Sequence, residues 1–476
     1  MRKSSVTSSV GFTSSGKDLK PYWNAACKAI SSPLWLPTAI DSHSSDLTSS
    51  KDWLNVTVDK SWFSANLLTP AHPTNWYTTY IQSLTSLLPE CLDSVRTVTK
   101  SKKIRLYPTA GQKAIFRRWL GTYRYVYNQT LAYLKTLEGV RPSWMEIAKN
   151  VIQPQLPAWA REIPYQIKKI AVKEACEAFT AVKVKFKRTG ELSNLSFKSR
   201  KSLVQTCYIP KSAVSSTGIY YTLSGVLKYA EALPVEFQDC ELSYQQGRWF
   251  LCVPYQTTST SGENQVRIVA LDPGVRTFQT FFSPDAAGAL GYHDFGRIVR
   301  LCRHLDDLIS RYTTSKSKKQ RYRMRKAADR MRWKIRDLRN ELHAKSARFL
   351  VDHFDILLIP AFETAQMAKR ENRKLRSKTV RALLTWAHFQ FKQRLKFVAL
   401  QAGKTVIEVR EDYTSKTCSW SGEIVKVGSS ESIRGSDHIR MHRDMNGARG
   451  IFLRALVELP LLDSLQHAVA NNANDS

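Results

Sequence analysis

Residues 268–278 read Ile-Val-Ala-Leu-Asp-Pro-Gly-Val-Arg-Thr-Phe, and the fold turns on this stretch. Positions 268–271 are continuously apolar, the pattern of a central strand buried on both faces. Asp272-Pro273-Gly274 makes a tight turn. Residues 277–282 then read as a second strand, which closes a hairpin. Further along, 298–350 is helical and 355–359 (Asp-Ile-Leu-Leu-Ile) is another buried strand, ended by Pro360. A helix over about 379–401, a strand at 404–410 and a last helix beginning near Asp444 complete the pattern. This order predicts an α/β domain with the first strand and two later ones parallel at its centre.

In open α/β sheets, sites gather beyond the carboxyl ends of the parallel strands. Asp272 stands there. Asp444 opens the last helix, whose Ala448 and Ile451 face inward. Gly447 and Gly450 are costly inside that helix, and their use is a close approach of helix to sheet. Taken alone, Asp272 is also an ordinary turn residue and Asp444 an acid favoured by the helix dipole. Together they suggest phosphodiester chemistry. Two divalent ions about 4 Å apart activate the attacking water and stabilise the leaving oxygen. Mg²⁺ takes carboxylate oxygens for this and keeps several waters.

The rest of the chain agrees with a polyanionic partner. Its 476 residues make two or three domains, and 43% of them are hydrophobic, enough for true cores. Lys and Arg outnumber Asp and Glu by 72 to 40, a net charge of +32, which is hard to explain without nucleic acid. No apolar run reaches the roughly 18–20 residues of a membrane span, so no membrane role is expected. Eight scattered cysteines without a CxxC pair point away from a disulfide framework. Between 316 and 339, twelve basic residues, Arg323 and Arg325 among them, meet two acids, which reads as a phosphate track.

Residues 1–100 are an N-terminal extension, rich in Ser and Thr up to 50 and expected to be partly disordered. Structure starts firmly at 101–110, with a strand, then Thr109 as a helix cap and Gln112 as its reciprocal partner. Helices follow over 111–137 and 163–188. Residues 195–257 read as short strands, with turns at 216–218 and 246–247.

Several motifs, in this order, resemble the TnpB/Fanzor family of transposon-associated nucleases. ALDPGVRTF (270–278) is similar to their first RuvC motif, and YTSKTC (413–418) with HRDMNGARGI (442–451) to their C-terminal signature. Residues 103–130, 163–179 and 196–202 resemble the amino-terminal block, helical recognition segment and wedge of the Fanzor relatives. The resemblance covers about 101–455. It implies an RNase H-like (RuvC) catalytic domain with a β-barrel wedge and a helical recognition domain. The expected boundaries are wedge 101–110 and 200–262, helical domain 111–199, RuvC 263–412, a zinc-finger insert 413–442, the final RuvC helix 443–460 and a tail 461–476. The implied activity is magnesium-dependent cleavage of double-stranded target DNA, directed by a guide RNA of the omega type, by a monomer. In a eukaryotic or viral host it would act in the nucleus. Arg105, Tyr107 and Gln112 match the wedge motif that grips guide RNA in the family, and Tyr127 and Asn128 follow in the same block; Tyr107 and Tyr127 read equally as core aromatics. Arg443 and Arg449 flank Asp444 and are expected to face the DNA strand being cut.

Two departures matter. The second RuvC motif normally ends in Glu, whereas Pro360 stands there. Glu411, just past the strand 404–410, is expected to replace it beside Asp272 and Asp444, with Glu363 as the rival. The insert keeps only Cys418 of four thiolates, so tetrahedral zinc is not expected. These losses give a second reading, an RNA-guided DNA binder whose cleavage has failed. A third is a transposition accessory factor without guide RNA.

Overall fold

A computed structural model describes residues 97–137, 142–191, 193–258, 267–284, 286–292, 294–362, 376–411, 414–426, 428 and 430–458, with the backbone alone of two short strands before them. The tail 1–50 and Glu363 lie outside the described residues. The chain divides into two compact units, Thr97–Thr258 in one and the remainder in the other.

In the first unit, strands β3 (Thr97–Leu106), β4 (Val204–Ile209), β5 (Cys240–Gln245) and β6 (Arg248–Thr258) form an antiparallel sheet in the order β3-β6-β5-β4. Where a β-barrel is expected, four strands are therefore described. Gln246 and Gly247 both take positive φ and join β5 to β6 in a two-residue turn, which suits the twist of paired strands. Helices α1 (Ala110–Thr136) and α2 (Tyr165–Thr189) pack on each other and share one apolar core with the sheet, through Ile104, Phe116, Trp119, Ile167 and Trp249.

The second unit holds a seven-stranded mixed sheet. Its strands are β1 (Leu54–Val56), β2 (Ala65–Leu68), β7 (Ile268–Pro273), β8 (Gln279–Phe282), β9 (Ala287–Leu290), β10 (Ile356–Pro360) and β11 (Thr405–Val409), in the order β1-β2-β9-β8-β7-β10-β11. β7, β10 and β11 are parallel neighbours, and β7–β8–β9 is an antiparallel meander. The sheet is thus α/β with its parallel strands where the sequence put them. Two strands of the N-terminal extension continue it beyond β9, which the sequence did not announce. At the opposite end of the parallel strands, buried Asp355 accepts from the Arg267 amide (2.8 Å) and pairs with Lys404, tying the starts of β7, β10 and β11.

Two helices expected as continuous are broken. The segment 298–350 is α3 (Phe295–Thr314) and α4 (Lys318–His353), the second capped by Ser317. The segment 379–401 is α5 (Ser377–Trp386) and α6 (His388–Gln401), separated by Ala387 at φ +52°. α7 (Arg443–Glu458) crosses β7 and β8.

Candidate active site

Strand parity decides which acids face α7. The parallel register pairs Leu358 with Ala270, Ile359 with Glu408 and Pro360 with Val409. Carried two residues further, it sets Asp272 level with Pro360. Side chains level with one another in a parallel sheet share a face, and those one residue on point the other way. Glu408 is therefore on the far face, and there it pairs with Lys392 (2.8 Å) and Lys396 (2.5 Å), which hold its carboxyl below the usual range. Glu411, two residues past Val409, returns to the face of Asp272.

On that face, α7 comes down on Asp272. A Cβ on Gly447 would collide with the Asp272 carboxylate, and one on Gly450 would press on Thr414, 3.2 Å from its Cβ. Gly447 thus serves the close approach to the sheet expected of it, whereas Gly450 lets the helix close on the loop at Thr414 instead. Asp444, one turn before Gly447, stands beside Asp272. Burial first, then the negative charges of Asp444 and Glu411, raise the Asp272 carboxyl well above its ordinary range, while Arg443 opposes them. Tyr292 borders the group, its phenol pushed up by burial, Glu431 and Asp444. Arg276, from the turn after β7, pairs with Glu431.

Three hard-oxygen donors crowded into a shielded place repel each other, and a divalent cation relieves that repulsion. Carboxylate oxygens are the kind of donor that Mg²⁺ prefers. Among the described residues no three His, Cys, Asp or Glu side chains form a ready-made chelating cluster.

The remaining motif residues are spent on structure. Asn446 is fully buried, accepts from the Ser419 amide (2.8 Å) and donates to the carbonyls of Thr417 (2.8 Å) and Thr414 (3.3 Å). Arg449, expected to face DNA, is turned inward: it is 4% exposed and donates to Ser419 O (2.5 Å) and Oγ (3.0 Å). Arg443 stays at the rim, where it donates to Gly428 O at 3.3 Å.

The loop these residues hold is a knuckle. Cys418 N donates to Glu423 O and Gly422 N to Cys418 O, both at 2.8 Å. Cys418 is buried with Trp420, Ile433, Met441 and Met445, and Trp420 Nε1 donates to Asp437 at 2.7 Å. Burial, Glu423 and Asp437 push its thiol up to about 11. An apolar cluster and an indole–carboxylate bond hold the turn together.

In the first unit the expected guide-binding side chains divide. Gln112 completes the capping box with Thr109, and its amide also donates to Ser224 O (2.9 Å) and Val226 O (2.7 Å). Asn128 brackets the backbone of Lys198, donating to its carbonyl (3.0 Å) and accepting from its amide (2.8 Å). Tyr127 is buried under the Lys198 ammonium, 4.1 Å from its ring. Tyr107, by contrast, is 48% exposed, with the Arg105 guanidinium 5.3 Å from its ring centre. On α4, Arg323 and Arg325 are exposed, and Arg325 lies over Tyr312.

Residues 97–137 match a family described as a helix-turn-helix domain, HTH_OrfB_IS605, and residues 388–451 match the Cas12f1-like TNB domain. The first match folds here as β3 and one long helix. The "Putative transposase A625R" of Paramecium bursaria Chlorella virus 1 is 25% identical over 80% of this chain and 95% of its own. The TnpB-like protein L79 of Acanthamoeba polyphaga mimivirus is 24% identical over 74% and 72%. The "Putative RNA-guided DNA endonuclease InsQ" of Escherichia coli (strain K12) is 21% identical over 73% and 90%. Among solved structures, a chain of a Cas12f1–sgRNA–target DNA complex aligns over 75% of this chain and 98% of its own, at 13% identity and a TM-score of 0.45. The chain is thus similar over most of its length to TnpB-like proteins and to proteins described as putative RNA-guided DNA endonucleases.

Proposed function

We propose that this protein is an RNA-guided DNA endonuclease whose seven-stranded sheet is an RNase H-like RuvC domain. Asp272, Glu411 and Asp444 are its catalytic carboxylates. The observation that carries the reading is the crowding at Asp272: acids from the end of β7, from beyond β11 and from the start of α7 act on one another. These three would hold two Mg²⁺ ions, which when bound supply an activated water and a stabilised leaving oxygen. Arg443 at the rim would hold a phosphate of the strand. Arg449 and Asn446 fix the knuckle and so the start of α7. Guide RNA and double-stranded target DNA are the partners that relatives' names and the +32 charge support. Half-buried Arg105 and exposed Tyr107, with the exposed α4 arginines Arg323 and Arg325, are offered for backbone and base contacts. Among the described residues no helix is long and apolar enough to cross a membrane. Pro360, level with Asp272 and without a ligating atom, favours the second reading of a binder that no longer cuts.

The test is cleavage of a plasmid matching the RNA that co-purifies, with Mg²⁺ present. The wild type is expected to cut, and Asp272→Asn or Asp444→Asn to lose about a thousandfold in rate while keeping guided DNA binding. Binding without cutting by the wild type gives the second reading. A mixture of unrelated RNAs gives an accessory factor instead.

A further inference from the structure

The turn that carries Asp272 has a second support, on the face of the sheet away from α7. His388 Nε2 donates to Gly274 O at 3.1 Å, and Trp386 Nε1 donates to Val275 O at 2.9 Å. His388 Nδ1 accepts from Gln279 Nε2 at 3.2 Å. The Phe278 ring lies between two imidazoles, His388 at 5.3 Å and His343 at 5.2 Å, tilted by 11° and 18°. His343 Nε2 in turn donates to Trp386 O at 2.7 Å. Phe278, Gln279 and Trp386 are fully buried, and both histidines nearly so.

The hydrogens can be assigned. A carbonyl only accepts, so His388 carries its proton on Nε2, and its Nδ1 lone pair is left for the Gln279 amide. His343 carries its own on Nε2 by the same argument. Burial keeps both rings neutral, lowering His388 to about 4 and His343 to about 3. Each ring is thus a fixed donor at neutral pH.

Consecutive helical residues point about 100° apart, so residues 386 and 388 of an unbroken helix would face nearly opposite ways. Ala387 at φ +52° removes that constraint and lets both side chains reach one turn. A non-glycine residue pays about 1–2 kcal/mol for this conformation. No glycine or proline marks the break, and such cost is tolerated where the arrangement serves a site.

We infer that His388 and Trp386 are positioning residues for the cleavage reaction, clamping the carbonyls of Gly274 and Val275 so that Asp272 is held in register with Asp444. The inference rests on the catalytic reading of Asp272. Neither side chain is placed to touch DNA; both act through the turn. A displacement of about 1 Å at a reacting group costs on the order of a hundredfold.

Three variants test it. His388→Phe keeps a stacking ring and loses the donor, Trp386→Phe keeps a ring and loses the indole N–H, and His388→Gln returns a donor at the same reach. Each is assayed with its co-purified RNA for kcat and KM on target DNA. Hydrogen exchange is followed across residues 268–282, and the melting temperature is recorded. The two Phe variants are expected to lower kcat about 10- to 100-fold at unchanged KM and to speed exchange in 272–278. His388→Gln should recover most of the loss. Unchanged exchange in that turn in both Phe variants overturns the clamp, as does a kcat that falls only with the folded fraction. If the wild type does not cut, the endonuclease reading fails, and the exchange measurement still decides whether the clamp exists.

Discussion

The polar side chains of the 97–258 unit and those around Asp272 have opposite electrostatic fates. Gln112 makes four hydrogen bonds when its backbone amide is included, and Asn128 and Lys198 are bracketed together. Lys198 also meets the carboxylate of Glu174 at 2.9 Å, and Tyr123 donates to that same carboxylate at 2.5 Å. Within that network the Lys198 ammonium and the Glu174 carboxylate offset one another. Around Asp272, acids from three separate elements are gathered, with Arg443 as the cation recorded against them. Folding alone would not select such an arrangement, because like charges in a shielded place cost free energy. The satisfied network explains a shape; the crowded one calls for a ligand.

The comparison is broken most severely by the choice of third acid. Glu411→Gln is expected to lower plasmid cleavage about a hundredfold, and Glu363→Gln to leave it within a factor of about three, a change under about 0.7 kcal/mol. The reverse ranking would move the site off the end of β11. Parity is the reason for the choice: Glu411 returns to the Asp272 face two residues after Val409, whereas Glu408 is committed to Lys392 and Lys396 on the other.

That parity shows why much of the site was legible. A buried apolar run followed by Asp, and an acid opening a helix with two costly glycines, are local patterns with one economical explanation each. The apolar strand at 404–410 points to Glu411, the acid just past its end. Other features leave no local trace. Ala387 breaks a helix without glycine or proline, so periodicity ran straight through it. Arg449 looks like any basic residue beside an active-site acid, and only the packing of α7 on the knuckle turns it inward. The cap made by Gln112 was readable from Thr109 three residues before. Its bonds to the Ser224 and Val226 carbonyls, more than a hundred residues away, were not.

Gln112 therefore sharpens the satisfied side of the comparison. Gln112→Ala removes a cap worth about 1 kcal/mol and leaves two inward carbonyls without a donor, for a total loss of about 2 kcal/mol in urea unfolding. Guide-RNA affinity, corrected for the folded fraction, should be unchanged. A drop in affinity at full folding would show that the amide contacts RNA, and that this network is less self-contained than its bonds suggest.

The opposite sign is expected at Asp272. Its carboxyl is raised by burial and by its acidic neighbours, so the folded state binds a proton more tightly than the unfolded chain does. The resulting stability is fully present below the ordinary carboxylate value of 3.8 and is lost as pH rises through the raised folded value. Asp272→Asn has no such dependence. Melting curves of the two proteins, taken without divalent metal, should separate as pH climbs from that acidic limit to neutrality. The variant ends on the order of 1 kcal/mol the more stable, the scale usual when a residue kept for activity is replaced. Mg²⁺ should narrow the gap by stabilising the wild type alone, since a ligand that binds only the folded protein adds its binding free energy to folding. A variant less stable than wild type at neutral pH without metal would mean that the acids at this place are paired, not crowded, and the contrast between the two regions would disappear.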